Sequence, residues 1–373
     1  MSLNNSAPAL AAAPAVARNG QEPDQRWIAT RDEMVFVSGA NGFIGSRVVE
    51  ALAGYGFKHI RCFVRSTGDH SRLKGVLQSC GGGDIISGNL LSQRDCDAAV
   101  SGASIILHLA AGNEKSFAGC FLNSVVTTRN LIEAGLKSGT LKRFLNVSSF
   151  SVYCNYHLAC GAVLEEDTPL ENNYRERCDA YCFGKVKQEE LVRRYARDQK
   201  LPFAIVRPGA VYGPGARQKI TPRVGIDTFG VFLHLGGGNP VPLTYVDNCA
   251  DAIIHAGLAQ AAEGQTFNIV DDDLPSSRQF LRLYRRHIRK FRSIPVPYSA
   301  FYLFSWFWER YAAWSRGQLP PVFNRRRCAA YWRGNRYSNQ KLKDLTGWQP
   351  KVDFPEACRR YFDFMKNSGG GIK

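Results

Sequence analysis

The stretch Met34-Val35-Phe36-Val37-Ser38-Gly39-Ala40-Asn41-Gly42-Phe43-Ile44-Gly45 decides how this chain folds. It opens as an apolar run, breaks into glycines three apart, and continues into Ser46-Arg47-Val48-Val49-Glu50-Ala51-Leu52, whose spacing suits a helix. Strand, glycine turn and helix in that order form a corner that can hold a dinucleotide pyrophosphate. Glycine lets backbone N–H groups approach the phosphates, and the helix N-terminus adds partial positive charge. Gly39, Asn41, Gly42, Phe43, Ile44 and Gly45 are therefore the first candidate cofactor contacts. The spacing is G-x-x-G-x-x-G rather than the commoner G-x-G-x-x-G, so the turn alone is a weak sign.

Outward from this corner, apolar strand-like runs recur at 34–38, 59–64, 84–87, 104–110, 143–148, 203–207 and 266–270. Amphipathic stretches at 46–56, 92–100, 118–138 and 181–199 lie between them. That alternation predicts an α/β fold, a Rossmann-type doubly wound parallel sheet covered by helices on both faces. The short, nearly continuous apolar runs fit strands buried on both sides. Past residue 273 the sequence turns helical, Arg-rich and aromatic, broken by Pro295, Pro297, Pro320 and Pro321. Three regions are expected: a disordered tail over 1–33, a cofactor domain over 34–273, and a smaller, mostly helical substrate domain over 274–373. Loop 212–245 should complete the substrate lobe, over the carboxyl ends of the strands.

The second strand closes at Arg65, twenty positions beyond Gly45. An acidic residue there would bind the adenosine ribose hydroxyls of NAD, whereas an arginine suits the 2′-phosphate of NADP. NADP is thus favoured over NAD, and Arg61 adds charge nearby. The third strand ends at Asn89-Leu90, where an amide can meet adenine, and the fourth at His108-Leu109-Ala110-Ala111, whose small residues admit a cofactor. His108 itself reads as a packed strand-end residue.

Tyr181 and Lys185, four apart on an expected helix, project from one face. A phenol titrates near 10, so a neighbouring ammonium should stabilise its ionised form and fit it for proton transfer; Tyr181 and Lys185 are also candidate cofactor contacts, Lys185 anchoring the nicotinamide ribose. Ser149, at the end of the fifth strand, can hydrogen-bond a substrate oxygen. Such a pair on a helix is common; following a glycine corner and a strand-end serine, it predicts hydroxyl or carbonyl redox chemistry.

With these residues in this order, the chain resembles an extended short-chain dehydrogenase/reductase of the NAD-dependent epimerase/dehydratase superfamily. The resemblance covers about 34–366 and includes Gly39–Gly45, His108–Ala111, Ser149, Val152-Tyr153, Tyr181/Lys185 and Glu189. It continues through Arg207-Pro208-Gly209-Ala210-Val211-Tyr212-Gly213-Pro214, Tyr245-Val246-Asp247-Asn248 and Leu345-Thr346-Gly347-Trp348-Gln349-Pro350. It implies Ser149, Tyr181 and Lys185 as catalytic residues, and Pro208, Gly209, Ala210 and Val211 as backbone contacts to the nicotinamide end. Three departures stand out: Asn89 where Asp is usual, Ser124-Val125-Val126-Thr127-Thr128 where Asn-Val-x-Gly-Thr is usual, and Cys154 where glycine is usual. The run from Tyr245 to Ala252 and the aromatic C-terminal segment are most similar to the 3β-hydroxysteroid dehydrogenase-like branch, which implies an apolar or lipid-like hydroxy/keto substrate. A nucleotide-sugar 4-epimerase or dehydratase that retains its NAD would use the same trio and is the alternative. A silent nucleotide-sensing scaffold would have no need of all three residues.

Of 48 Lys plus Arg and 32 Asp plus Glu, residues 274–373 hold 21 and 5, which leaves 27 of each before them. The whole surplus of sixteen positive charges lies in the last hundred residues, and that is a statement about partners. Arg285, Arg286, Arg289, Lys290 and Arg292 precede the aromatic run 299–314, and Arg325, Arg326 and Arg327 follow it. The run is too short to span a bilayer. It reads either as a core helix or as a helix lying on an anionic membrane surface; the arginines could equally hold an anionic substrate handle. No nucleic-acid motif accompanies the charge, so nucleic acid is not expected as a partner. The expected partners are a small-molecule substrate, a membrane surface and a second copy of the chain. Eleven cysteines without C-x-x-C pairing predict no metal site and a reduced, cytoplasmic setting with peripheral membrane contact.

Overall fold

The computed structural model describes residues 26–367 apart from 80, 81, 113, 217–219, 229 and 317. The chain begins with β1 (Met34–Ser38), α1 (Phe43–Gly54), β2 (Ile60–Val64), α2 (Ser71–Ser79), β3 (Asp84–Ser87), α3 (Gln93–Val100) and β4 (Ala103–His108). A long helix follows in three pieces: α4 (Phe117–Cys120), a π-helical turn over 121–126, and α5 (Thr127–Ser138). Then come β5 (Arg143–Val147), β6 (Val163–Leu164), α6 (Ala180–Gln199), β7 (Phe203–Pro208), β8 (Ala210–Tyr212), β9 (Gly225–Thr228), β10 (Val231–His234), β11 (Leu243–Tyr245), α7 (Val246–Leu258) and β12 (Thr266–Ile269). The rest comprises α8 (Ser277–His287), β13 (Ser293–Pro295), α9 (Tyr298–Trp314), α10 (Arg325–Trp332), β14 (Arg336–Tyr337), α11 (Gln340–Thr346) and α12 (Phe354–Asn367).

Seven strands form one parallel sheet in the order β12-β7-β5-β4-β1-β2-β3. The seven apolar runs of the sequence are these strands. β4 and β5 are buried along their length, as expected of central strands, but the edge strand β3 exposes Asp84 and Ser87. Helices α1 and α7 cover one face through Val48, Val49, Leu52, Ala252, Ile253 and Ala256; α3, α5 and α6 cover the other through Cys96, Leu131, Ile132 and Val192. The chain leaves β1 toward β2 and β3, then crosses to β4 on the opposite side. The crevice between the carboxyl ends of β1 and β4 is the switch point, where open sheets of this kind bind ligands.

The expected boundaries shift at both ends. Residues 1–25 of the predicted tail lie outside the described residues, but 26–33 are folded. Ile28 N–H donates to Leu258, Trp27 bridges to Ala259 and Ala29 is buried in the core. At the other end, Leu342 and Trp348 pack into the core beneath the large sheet. A smaller lobe does sit beyond residue 273. Its core joins Phe280, Tyr284, Ala357 and Tyr361 to Tyr212 and Val224 of loop 212–245, and β13 pairs with the β9–β10 hairpin.

Candidate active site

The glycine corner is built as its spacing requires. Gly42 caps α1 with no side-chain bond, so the first-turn N–H groups of Phe43, Ile44 and Gly45 meet no capping side chain; that turn carries no acidic residue. Gly39 has φ +70, and a Cβ there would come within 3.0 Å of the Ala110 nitrogen. A Cβ on Gly45 would lie 2.1 Å from the Gly39 carbonyl oxygen. These contacts bring the turn against Leu109-Ala110 at the end of β4, where Ser38 Oγ accepts from both amides. Ala111 follows at the exposed rim. Asn41 reaches across the corner and donates to the Asp69 carbonyl in the loop after β2. Backbone donors, positive helix end and absent side chains fit a pyrophosphate.

Arg65 is exposed just past the end of β2, with no carboxylate partner among the described residues. Arg61 is not beside it. Its guanidinium is tied to the carbonyls of Ala99 and Ser101 and lies 3.5 Å from Asp84, at the far end of the strand, so it adds nothing to the cofactor side. Asn89 is exposed, but its side-chain carbonyl folds back to accept from Leu91 N–H, and the Leu90 carbonyl is held by Asn130. At Pro208–Val211 the N–H of Gly209 goes to Ile269 and that of Ala210 to Pro242, so these two amides are already spent within the chain.

Ser149, Tyr181 and Lys185 come together at the carboxyl end of β5. Tyr181 and Lys185 stand in the first two turns of α6, capped by Asp179, which accepts from Cys182 N–H at 2.9 Å. Tyr181 lies near enough to Ser149 for that side chain to favour its ionised form, and Ser149 Oγ accepts from Ser151 N–H at 3.1 Å. Lys185 Nζ donates to the Val147 carbonyl at 2.6 Å and lies 6.0 Å from the Tyr181 ring centre. Lys185 is buried while Ser149 and Tyr181 are half-buried, and desolvation is the largest influence on both titrating groups. Desolvation pushes Tyr181 up to about 12, against the opposing influence of Ser149, and the Asp179 carboxylate pushes it further up. Desolvation draws Lys185 down to about 7, opposed by Glu189. The expected lowering of the phenol by its lysine is thus absent from this chain alone, because desolvation acts most strongly on the phenol and the lysine Nζ is directed at the backbone of β5.

Behind the trio lies a supporting layer. Arg207 makes a two-bond pair with Glu189, 2.9 and 2.7 Å, beneath the Tyr153 ring. His108 is buried between Ser38 and Thr128, with burial and Lys185 lowering it to about 3, so it is a neutral packing residue. The departures at Ser124–Thr128 fall where the long helix takes its π turn. Thr127 and Thr128 return hydroxyl bonds to Asn123 and Ser124, and Ser124 Oγ accepts from Gly112 N–H just past Ala111. Cys154 replaces glycine at no strain, since its φ is not positive.

The model of the NAD dependent epimerase/dehydratase family matches residues 35–270. The chain belongs to that family. Among similar proteins, a sterol-4-alpha-carboxylate 3-dehydrogenase, decarboxylating, of Mus musculus is 25% identical over 87% of this chain and 88% of its own. A 3beta-hydroxysteroid-dehydrogenase/decarboxylase of Arabidopsis thaliana is 24% identical over 88% and 78%. A UDP-glucose 4-epimerase of Vibrio cholerae is 24% identical over 72% and 80%. The same fold is seen in the crystal structure of a UDP-glucuronic acid 4-epimerase from Bacillus cereus in complex with NAD, with TM-score 0.64, 21% identity and coverage of 90% and 99%.

Within this family frame, two positioning groups were not found from sequence. Arg177 is fully buried and donates to the carbonyls of Ser151 and Tyr153 while pairing with Asp179 at 3.2 Å. It joins the serine turn to the start of the tyrosine helix. Asp179, two residues before Tyr181, carried a readable signal as a helix N-cap. Arg177 carried none, because its role depends on the carbonyls of Ser151 and Tyr153, in a segment apart from its own.

Proposed function

We propose that this protein moves hydride between a nicotinamide dinucleotide and a hydroxyl or keto carbon of an apolar, lipid- or steroid-like substrate. The observation that supports the reading is the gathering of Ser149, Tyr181 and Lys185 at the carboxyl end of β5, the strand next to β4, with Lys185 one turn beyond Tyr181. The bound nicotinamide supplies or accepts the hydride. Tyr181 holds its proton at neutral pH and so is ready to donate it to a substrate oxygen, which Ser149 can also contact. In the oxidative direction the phenol must give up that proton first, so alcohol oxidation should accelerate as pH rises. Arg65, exposed and free of a carboxylate, supports NADP over NAD.

The apolar substrate is favoured over a nucleotide sugar because the sterol and steroid relatives match over more of the chain than the sugar epimerase does. Tyr181→Phe removes the transferable proton alone. Turnover should fall by roughly 10²- to 10⁴-fold, with cofactor affinity, read by nucleotide fluorescence, nearly unchanged. A phenylalanine variant of near-normal rate would require another acid.

Peripheral contact with an anionic bilayer belongs to the same reading. No helix of the described residues is long and apolar enough to cross a membrane. Helix α9 buries Phe301, Ser305 and Ala312 yet exposes Leu303, Trp306, Phe307, Tyr311 and Trp314, so the core-helix alternative accounts for one face only. Arg282, Arg285, Arg286, Arg289, Lys290 and Arg292 are exposed on the approach to it and have no carboxylate partner among the described residues. Each cation near an anionic surface adds about 1 kcal/mol of attraction. Sedimentation should be strong with phosphatidylserine vesicles and weak with phosphatidylcholine vesicles; equal, negligible binding would remove this part of the reading.

A further inference from the structure

The C-terminal lobe contains a cavity of about 250 Å³. Its wall is mostly apolar and aromatic: Ile226 of β9, Phe301 of α9, Phe323, and Tyr331 and Trp332 of α10. One cation, Arg327, is set into this wall. The two arginines that precede it in sequence are neutralised. Arg325 pairs with Glu309 at 2.8 Å, and Arg326 pairs with Glu176 at 2.9 Å and Glu171 at 3.3 Å. Arg327 has no carboxylate within 4 Å among the described residues, and its Nη1 makes a long bond of 3.4 Å to the Val322 carbonyl.

The cavity adjoins the trio. Asn324, another wall residue, donates to the Arg177 carbonyl at 3.0 Å, four positions before Tyr181. Tyr331, also of the wall, is near enough that its ionised form would raise the Tyr181 phenol. Arg327 is thus a part-buried guanidinium in a mostly apolar wall, with no anion facing it among the described residues. A planar fork of this kind is satisfied best by a carboxylate, through two parallel bonds.

We infer that this cavity receives the apolar body of a lipophilic acid and that Arg327 pairs with its acidic group. The inference deepens the proposed function, since it rests on the C-terminal lobe being the substrate lobe. It makes Arg327 the residue that separates acidic from neutral lipophiles.

The test uses the full chain and a matched probe pair, dodecanoate and dodecanol, titrated calorimetrically at pH 7.5 below their aggregation limits. The unaltered protein should bind the acid at least tenfold more tightly than the alcohol. Arg327→Gln should lower acid affinity about tenfold and leave alcohol affinity within twofold. Arg327→Lys keeps the charge without the fork and should recover part of the loss. It also serves if the glutamine variant does not fold. Equal affinity of the unaltered protein for both probes, no binding of either, or an equal loss for both in the variants would overturn the inference. Because binding is read without turnover, none of these outcomes touches the assignment of Tyr181. Conversely, an unimpaired Tyr181→Phe enzyme would remove the redox reading and leave the acid preference standing.

Discussion

Gly45→Ala is the sharpest perturbation of the cofactor corner. The added methyl carbon would sit 2.1 Å from the Gly39 carbonyl oxygen and 2.9 Å from the Ala40 Cα, all backbone atoms. Ordinary contact begins near 3.4 Å, so the turn must open by more than an ångström. The Gly39 carbonyl also accepts from Gly42 N–H at 2.9 Å, and moving it disturbs the first turn of α1, where a pyrophosphate would be held. Overpacking of this kind costs about 1–3 kcal/mol. If that cost is felt in the bound geometry, dinucleotide affinity falls roughly fivefold to 150-fold. Gly54 closes the same helix, and a methyl added there would meet nothing within 4 Å, so Gly54→Ala is the matched control and should bind cofactor normally. Fluorescence titration of NADPH and NADH against both variants reads the difference directly. Wild-type affinity in Gly45→Ala would refute the placement of the pyrophosphate at this turn.

Three further outcomes follow from buried charge and from the cofactor rim. Lys185 is lowered from its ordinary value to about 7 in the folded chain, so between about 7 and 10.5 the unfolded state binds more protons and this group makes stability rise with pH. Lys185→Met should flatten that rise in urea unfolding at pH 7 and pH 9; an unchanged slope would contradict the burial assigned to the amine. Arg207→Met leaves Glu189 buried without its partner and should cost about 3–5 kcal/mol, measured by the same unfolding; a loss under about 1 kcal/mol would show that Glu189 finds water or another cation. Arg65→Ser should raise the Michaelis constant for NADP while sparing NAD, and an equal effect on both would end the phosphate role of Arg65.

The sheet and the trio were legible because both are written locally. Each strand of the large sheet is a short apolar run, and Tyr181 and Lys185 share one helical face at a fixed interval. Helix α7 escaped because it is buried almost all round, from Val246 through Ile253 and Ile254 to Leu258, leaving no polar stripe to mark a period. Helix α2 escaped for the opposite reason: only Leu73 and Leu77 are buried in nine residues. The titration of Tyr181 could not be anticipated from its lysine neighbour, since its sign depends on how completely the fold excludes water. Arg61 misled because strand direction, not sequence proximity to Arg65, decides which end of the sheet a side chain serves.

The bond from Asn324 to the Arg177 carbonyl has an implication for engineering. The wall proposed to recognise a ligand and the loop leading to the proposed proton donor share a fastening, so on this reading the C-terminal lobe is not an interchangeable cartridge. Grafting a foreign lobe onto this nucleotide half would retune specificity and detune proton transfer in one stroke, unless an amide equivalent to Asn324 travelled with the graft.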